Sequence, residues 1–214
     1  MPDDVKLTPK EKLDIVVESA LQLIPWIGGP LATAYFGTKN EKRFKRIENF
    51  YEELSLQIQE KGIQFNSIEA HDEDALIAVI EKLNEKVEQE VLNEKRNYFK
   101  NFLMNSLIEP TKKYNYDERR FFLDVLADMT LLEIQLIVEL SKVKSPALVK
   151  SIAEPGIAQS KIVGAVGRLK NYGFIDAFTQ GLTIGGQVNN MLNESIILNE
   201  FGIRFFNFCL SDEW

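Results

Sequence analysis

The fold of the chain is decided at residues 156–175, which read GIAQSKIVGAVGRLKNYGFI. Apolar side chains recur there at the spacing of one helix face: Ile162, Val163, Val166 and Leu169. The pattern predicts a helix from about Gln159 to Asn171 that ends at Gly173, because glycine readily adopts the left-handed conformation that follows many helices. The next residues, FIDAFTQ at 174–180, predict a strand.

The segments on either side complete a small domain. Residues 130–133, Thr-Leu-Leu-Glu, form a capping box that predicts a helix through Leu140. Ser145 and Pro146 predict the start of a short second helix, PALVKSIAE, which ends at Pro155-Gly156. A Gly- and Asn-rich hairpin and the sequence SIILNEFGIRFFNF follow, and they predict a second strand and a closing helix. The order helix, helix, helix, strand, hairpin, strand, helix is that of a winged helix.

Two of these segments, GIAQSKIVGAVGRLKNYGFI and IILNEFGIRFFNF, resemble the corresponding parts of bacterial winged-helix regulators. In those families the recognition helix runs into the wing through Leu-x-x-x-Gly-hydrophobic, and a Leu-Thr-x-x-Gly motif precedes the closing helix. Here the closing motif reads Leu-Asn-Glu-Phe-Gly at 198–202, with Asn199 in place of threonine as the helix cap. The resemblance covers residues 130–210 and implies a winged-helix domain.

The N-terminal part predicts a helical bundle. A capping box at Thr8–Glu11 starts a first helix that ends or kinks at Pro25. A basic amphipathic helix from about Asn40 to Glu60 carries a narrow apolar seam, formed by Phe44, Ile47, Tyr51, Leu54 and Ile58. His71 or Asp72 caps a long helix that runs to about Leu107, and a shorter helix covers 117–128. Because such a seam suits a second helix, we expect a homodimer.

The expected architecture is therefore mainly α, with a helical bundle at 1–128 and a winged helix with a small β-hairpin at 129–214. The sequences IPWIGGPL, KRIENFYEEL, EKRNYFKNFLMNSL and FFLDVLADMTLLEIQLI resemble uncharacterised bacterial and phage proteins, some of them grouped with abortive-infection (phage-defence) proteins. That resemblance covers residues 15–140 and implies a role in conflict between phage and host. It supplies no catalytic residues.

Composition argues against an enzyme. The chain has one cysteine and one histidine, so it can form no internal disulfide and no cysteine metal site, and most histidine chemistry is excluded. It contains no phosphate-binding glycine loop, nucleophile elbow or HExxH motif. We therefore expect no catalytic residues, cofactor or metal, and a cytoplasmic location. His71 and the three acids after it are interpreted as charges at a helix N-terminus, and Cys209 as a core residue.

Residues 19–38 form the most unusual segment, because twenty residues pass without a charge and a basic cluster follows. That length suits a bilayer, but the prolines and glycines interrupt any helix, so two short helices buried against the bundle are favoured. The candidate membrane or partner contacts are Trp26, Ile27, Gly28, Gly29, Pro30, Lys42, Arg43 and Arg46.

The recognition helix supplies the second set of candidate contacts: Gln159, Ser160, Lys161 and Arg168, with Lys150 and Lys170 nearby for phosphates. Residues 145–180 carry four basic and two acidic side chains, a net charge of +2, and the wing at 180–194 has no lysine or arginine. The whole chain carries a net charge of -7. Nucleic acid is therefore disfavoured as a partner, and a protein is favoured.

The sequence thus predicts a non-enzymatic binding or regulatory protein of bacterial or phage origin that acts through protein–protein contacts, in phage defence or counter-defence. Two alternatives stay open. One is a DNA-binding winged-helix transcription regulator, and the other is a membrane-acting effector that uses residues 19–38.

Overall fold

The computed structural model describes residues 41–63, 65, 70–179 and 190–212, which fall into two compact units that divide between Ala127 and Asp128. These residues are mainly helical, with one small antiparallel sheet near the C-terminus, which confirms the predicted fold class. The predictions for the first helix, for the uncharged segment and for the wing residues 180–189 lie outside the described residues.

The first unit contains four described helices: α1 (Glu41–Lys61), α2 (Glu73–Gln89), α3 (Asn93–Ile108) and α4 (Lys113–Asp128). Helix α1 packs on α2 and α3, and α2 packs on α3. The predicted seam of α1 lies in this core, where Ile47, Tyr51, Leu54 and Ile58 are at most 5% exposed. The Tyr51 hydroxyl donates to Asn84 Oδ1 on α2 at 2.8 Å. These four described residues of the seam therefore pack within the chain.

The prediction of one long helix over 72–107 was wrong, because the chain leaves the helix at residues 90–92. Glu90 holds this break together. Its Oε1 accepts from the Leu92 amide at 2.9 Å, its Oε2 pairs with Lys95 Nζ at 2.9 Å, and its carbonyl accepts from Arg96 at 3.0 Å. Val91, predicted in the apolar stripe, is 67% exposed at this turn.

The second unit contains α5 (Leu131–Ser141), β1 (Ala147–Leu148), a 3-10 turn (Val149–Ser151), α6 (Gln159–Asn171), β2 (Ile175–Thr179), a second 3-10 turn (Asn190–Asn193), β3 (Glu194–Leu198) and α7 (Glu200–Phe205), which continues as a π-helical turn (Phe206–Leu210). The strands lie in the order β1-β3-β2, and both pairings are antiparallel. β3 is therefore the central strand, with Ile175 opposite Leu198 on one side and Ala147 opposite Ile196 on the other.

Local signals in this unit were interpreted correctly, with one exception. The capping box is present, with the Thr130 amide donating to Glu133 Oε2 at 2.6 Å. Helix α6 has the predicted bounds and is followed by Gly173 at φ +76°. The short helix predicted over residues 146–154 was wrong, because Ala147 and Leu148 pair with β3 and leave room for only the first 3-10 turn.

The closing motif joins α7 to the end of α6. Asn199 caps α7 as predicted, since its Oδ1 accepts from the Gly202 amide at 2.9 Å. The Asn199 amide donates to the Phe174 carbonyl at 3.1 Å, and the Phe174 ring stacks on Phe205 with centroids 4.4 Å apart. Cys209 is fully buried, and burial raises the pKa of its thiol, so it is a core residue as predicted.

Candidate functional site

The exposed face of α6 is the candidate contact surface. Ser160, Lys161, Gly164, Arg168 and Asn171 recur on it at helical spacing and are all exposed. The opposite face is buried in the core of the second unit and consists of Ile162, Val163, Ala165, Val166 and Leu169. Amphipathic spacing in the sequence therefore fixes which side chains α6 offers to solvent.

Arg168 is held within the second unit. Its Nε lies 2.9 Å from Glu133 Oε1, and its Nη2 donates to the Asp128 carbonyl at 3.0 Å and to the Tyr172 hydroxyl. Glu133 is 1% exposed, so this guanidinium compensates a buried carboxylate. The hydrogen bond with Tyr172, together with the charge of Glu133, raises the pKa of Arg168. The structure thus gives Arg168 a stabilising role between α6 and the start of α5.

Two other predicted contacts are also engaged within the unit. Lys170 Nζ lies 2.8 Å from Glu194 Oε2, and Gln159 Nε2 donates to the Val149 carbonyl at 3.0 Å. Ser160, Lys161 and Lys150 are exposed, and neither lysine forms an ion pair with another described residue. The positive charge that this surface offers to a partner therefore comes mainly from Lys161, with Lys150 nearby on the first 3-10 turn.

Gly164 leaves a gap in the middle of the exposed face of α6. A Cβ atom at this position would meet no heavy atom within 4 Å, whereas one at Gly167 would touch Met191 at 3.6 Å. Packing against the described residues therefore does not require glycine at 164. Glycine inside a helix costs about 1 kcal/mol relative to alanine, and the missing side chain at 164 leaves the α6 backbone open to close approach.

Most of the N-terminal candidate contacts lie outside the described residues. These are Trp26, Ile27, Gly28, Gly29 and Pro30, and the side chains of Lys42 and Arg43 are likewise not described. Arg46 is described, and its Nη1 donates to the Glu88 carbonyl in the last turn of α2. Arg46 therefore binds a helix end, where carbonyl groups lack partners within the helix.

His71 is buried in the first unit and is 6% exposed. Its Nδ1 accepts from the Thr111 amide at 3.0 Å, and the Asp72 amide donates to the Thr111 carbonyl at 2.7 Å. Asp72 caps α2, with Glu73 and Asp74 in the first turn, which confirms the interpretation of the acids. No sequence pattern predicted that the histidine itself holds the loop before α4.

His71 should make stability depend on pH. Burial, together with the charges of Arg119 and Lys112, lowers its pKa below the ordinary 6.5. As the pH falls below about 6.5, the unfolded chain binds a proton at His71 that the folded chain does not yet bind. The free energy of unfolding should therefore fall by up to about 1.4 kcal/mol per pH unit until the pKa of His71 in the folded chain is reached. Above that range the stabilisation by neutral His71 is complete.

Urea unfolding of the wild type and His71→Gln between pH 7.5 and 5.5 checks this expectation. The glutamine can still accept from Thr111 but does not titrate, so the stability difference between the two proteins should shrink as the pH falls. A difference that stays constant across this range would show that the pKa of His71 is the same in the folded and the unfolded chain, which would contradict the expectation.

Within the described ranges, no group of three or more His, Cys, Asp or Glu side chains is placed to hold a metal ion. None of the described helices is both long enough and apolar enough to cross a membrane. Comparisons of the chain with protein families, with curated protein sequences and with solved structures found no match.

Proposed function

We propose that the chain is a non-enzymatic binding protein that acts through protein–protein contacts, and that its second unit is a winged helix whose α6 face meets the partner. The order α5, β1, short turn, α6, β2, β3 and α7, with β3 central, supports this assignment of the fold. The resemblance of the N-terminal half to uncharacterised bacterial and phage proteins, some of them grouped with abortive-infection proteins, adds a role in phage defence or counter-defence to the proposal.

The charge balance of the α6 face is the observation that carries the proposal. Acidic side chains of the same unit compensate Arg168 and Lys170, which leaves Lys161 as the exposed, unpaired cation among the described residues of α6, with Lys150 on the first 3-10 turn. Duplex DNA is bound by neutralising several phosphates, for which two lysines are insufficient. A nearly neutral helix face with an open glycine instead suits close packing against a protein surface.

A size series at position 164 tests the proposal in the full chain. Gly164→Ala should retain partner binding, whereas Gly164→Trp should weaken it by about tenfold or more, or about 1.4 kcal/mol, because the indole blocks close approach. A photo-reactive residue at position 161 should crosslink a discrete protein in bacterial cells. The same group at Gln135, exposed on α5, is the matched control.

Selection from random DNA duplexes supplies the opposing result. Recovery of one defined sequence at nanomolar affinity in physiological salt, lost on Lys161→Ala, would make the chain a transcription regulator instead. Equal partner binding by Gly164→Trp and the wild type would exclude the α6 face as the contact surface.

A further inference from the structure

A second surface feature of the same unit is a groove of about 420 Å³, whose lining is mostly apolar but includes Ser141, Lys144 and Asn207. Leu140 and Val143 line it from the end of α5 and the residues after it, β3 contributes Ile197, and α7 with its π-helical turn contributes Ile203 and Phe206. No residue of α6 lines the groove. It is therefore distinct from the contact surface considered above.

The groove leaves large apolar side chains in contact with water. Val143 is 42% exposed and Ile203 is 46% exposed, although they come from segments far apart in sequence. Isolated exposed aliphatic side chains are ordinary, but a concave apolar surface built from several elements is typical of a binding site. Covering both side chains removes apolar surface from water and favours an apolar occupant.

The rim of the groove carries one charge. Lys144 is the charged side chain among the described residues that line it, and it is exposed. It forms no ion pair with another described residue, whereas Lys142 nearby pairs with Glu139 at 2.7 Å. An occupant that combines apolar residues with a carboxylate therefore complements both features of the groove.

We propose that this groove binds an apolar segment of a partner protein that carries an acidic side chain next to its apolar residues. The proposal rests on the proposed function as a protein-binding chain and names the chemistry of a second contact. A peptide fits better than a small molecule, because small-molecule sites enclose most of their ligand and this groove is about half open to solvent. An amphipathic helix would place its i, i+3, i+4 and i+7 side chains along the groove.

The test uses a designed 16-residue amphipathic helix with leucine at those four spacings and glutamate beside them, and a matched peptide with lysine in place of glutamate. Binding to the full chain is followed by methyl NMR. The acidic peptide should shift the methyl signals of Val143, Ile197 and Ile203 in a saturable manner. It should bind roughly twofold to fivefold more tightly than the lysine peptide, as an exposed ion pair allows.

Four variants separate the contributions of charge, apolar contact and the α6 face. Lys144→Glu should reverse the preference between the two peptides, and Ile203→Ser should weaken the acidic peptide by about tenfold. Leu131→Ser is the matched control, since Leu131 is 37% exposed on α5 and does not line the groove. Gly164→Trp should leave peptide binding at the groove unchanged. A result that contradicts partner binding at the α6 face can therefore be told apart from one that contradicts peptide binding at the groove.

Several outcomes would overturn the proposal. One is the absence of shifts at millimolar peptide, and another is equal affinity for the two peptides. Saturation of the groove by decanoate where the acidic peptide fails to bind would assign it to a small apolar acid. A concentration-dependent dimer that Ile203→Ser abolishes would show that a second copy of the chain occupies it.

Discussion

Gly202→Ala is expected to lower the free energy of unfolding of the second unit by about 3 kcal/mol, because overpacking against backbone costs at least as much as overpacking a core. A Cβ at this position would overlap the Phe174 carbonyl and lie 3.1 Å from Leu198 Cδ2. The Phe174 carbonyl cannot easily move away, because it accepts a hydrogen bond from the Asn199 amide. The side chain of Phe174 is also held in place, since its ring stacks on that of Phe205. The effect is steric, because Gly202 has no positive φ.

Gly164→Ala is the matched control, because it makes the same chemical change in a helix where a Cβ meets nothing within 4 Å. It should raise stability by about 0.5–1 kcal/mol. Urea unfolding combined with amide hydrogen exchange in β3 separates the second unit from the first. Equal effects of the two substitutions would contradict the close contact at Gly202.

The elements that the sequence predicted correctly depend on neighbouring residues. The capping box at Thr130, the bounds of α6 and the Asn199 cap each arise from side chains within three or four positions of the backbone that they satisfy. The glycine of the closing motif was recognised by resemblance, and the structure supplies its reason in the Phe174 carbonyl. Interactions between residues close in sequence are therefore sufficient to predict most of the fold class.

One error arose where a distant strand decides the local structure, and the other where polar side chains outside the apolar pattern do so. Ala147 and Leu148 form a strand because β3, almost fifty positions later, offers its edge. The break after Gln89 contains neither glycine nor proline and is held by Glu90 and Arg96. The spacing of apolar residues within either segment does not predict the pairing with β3 or the contacts of Glu90 and Arg96. A pattern based on the spacing of apolar residues therefore predicted a continuous helix through the break after Gln89, and a short helix where β1 and the first 3-10 turn lie.

The candidate site could likewise be predicted in part from the sequence. Helical spacing correctly placed Ser160 and Lys161 on the exposed face of α6. It could not show that Arg168 is paired, because its partner Glu133 lies on another helix. The groove residues Val143 and Ile203 gave no signal, since they lie sixty positions apart in the sequence and only the fold brings them together.

Arg119 is another residue whose importance the sequence concealed, and its loss should have the largest effect on the first unit. The side chain is 3% exposed, and its Nη1 donates to the Ser106 carbonyl at 3.1 Å and to Thr111 Oγ1. Its Nη2 donates to the Glu109 carbonyl at 3.2 Å. These carbonyls lie at the C-terminal end of α3, where helical carbonyls lack partners.

Arg119→Met should lower the free energy of unfolding by about 3–5 kcal/mol, because it leaves several buried acceptors without donors at once. Burial lowers the pKa of Arg119 to about 10, so the guanidinium is still charged at neutral pH. Arg120→Met, one residue along and exposed, is the matched control and should stay within about 0.5 kcal/mol of the wild type.

A second measurement tells the role of the charge apart from a simple packing defect. The positive charge of Arg119 is one cause of the lowered pKa of His71, second to burial. Arg119→Met should therefore raise the pKa of the single histidine, read from its NMR signals. Arg119→Lys keeps the positive charge and should leave this pKa nearly unchanged, but it should still lower the free energy of unfolding, because lysine cannot donate to several carbonyls as the planar guanidinium does. Equal losses for Arg119→Met and Arg120→Met, with an unchanged His71 pKa, would contradict this account of how the end of α3 is held.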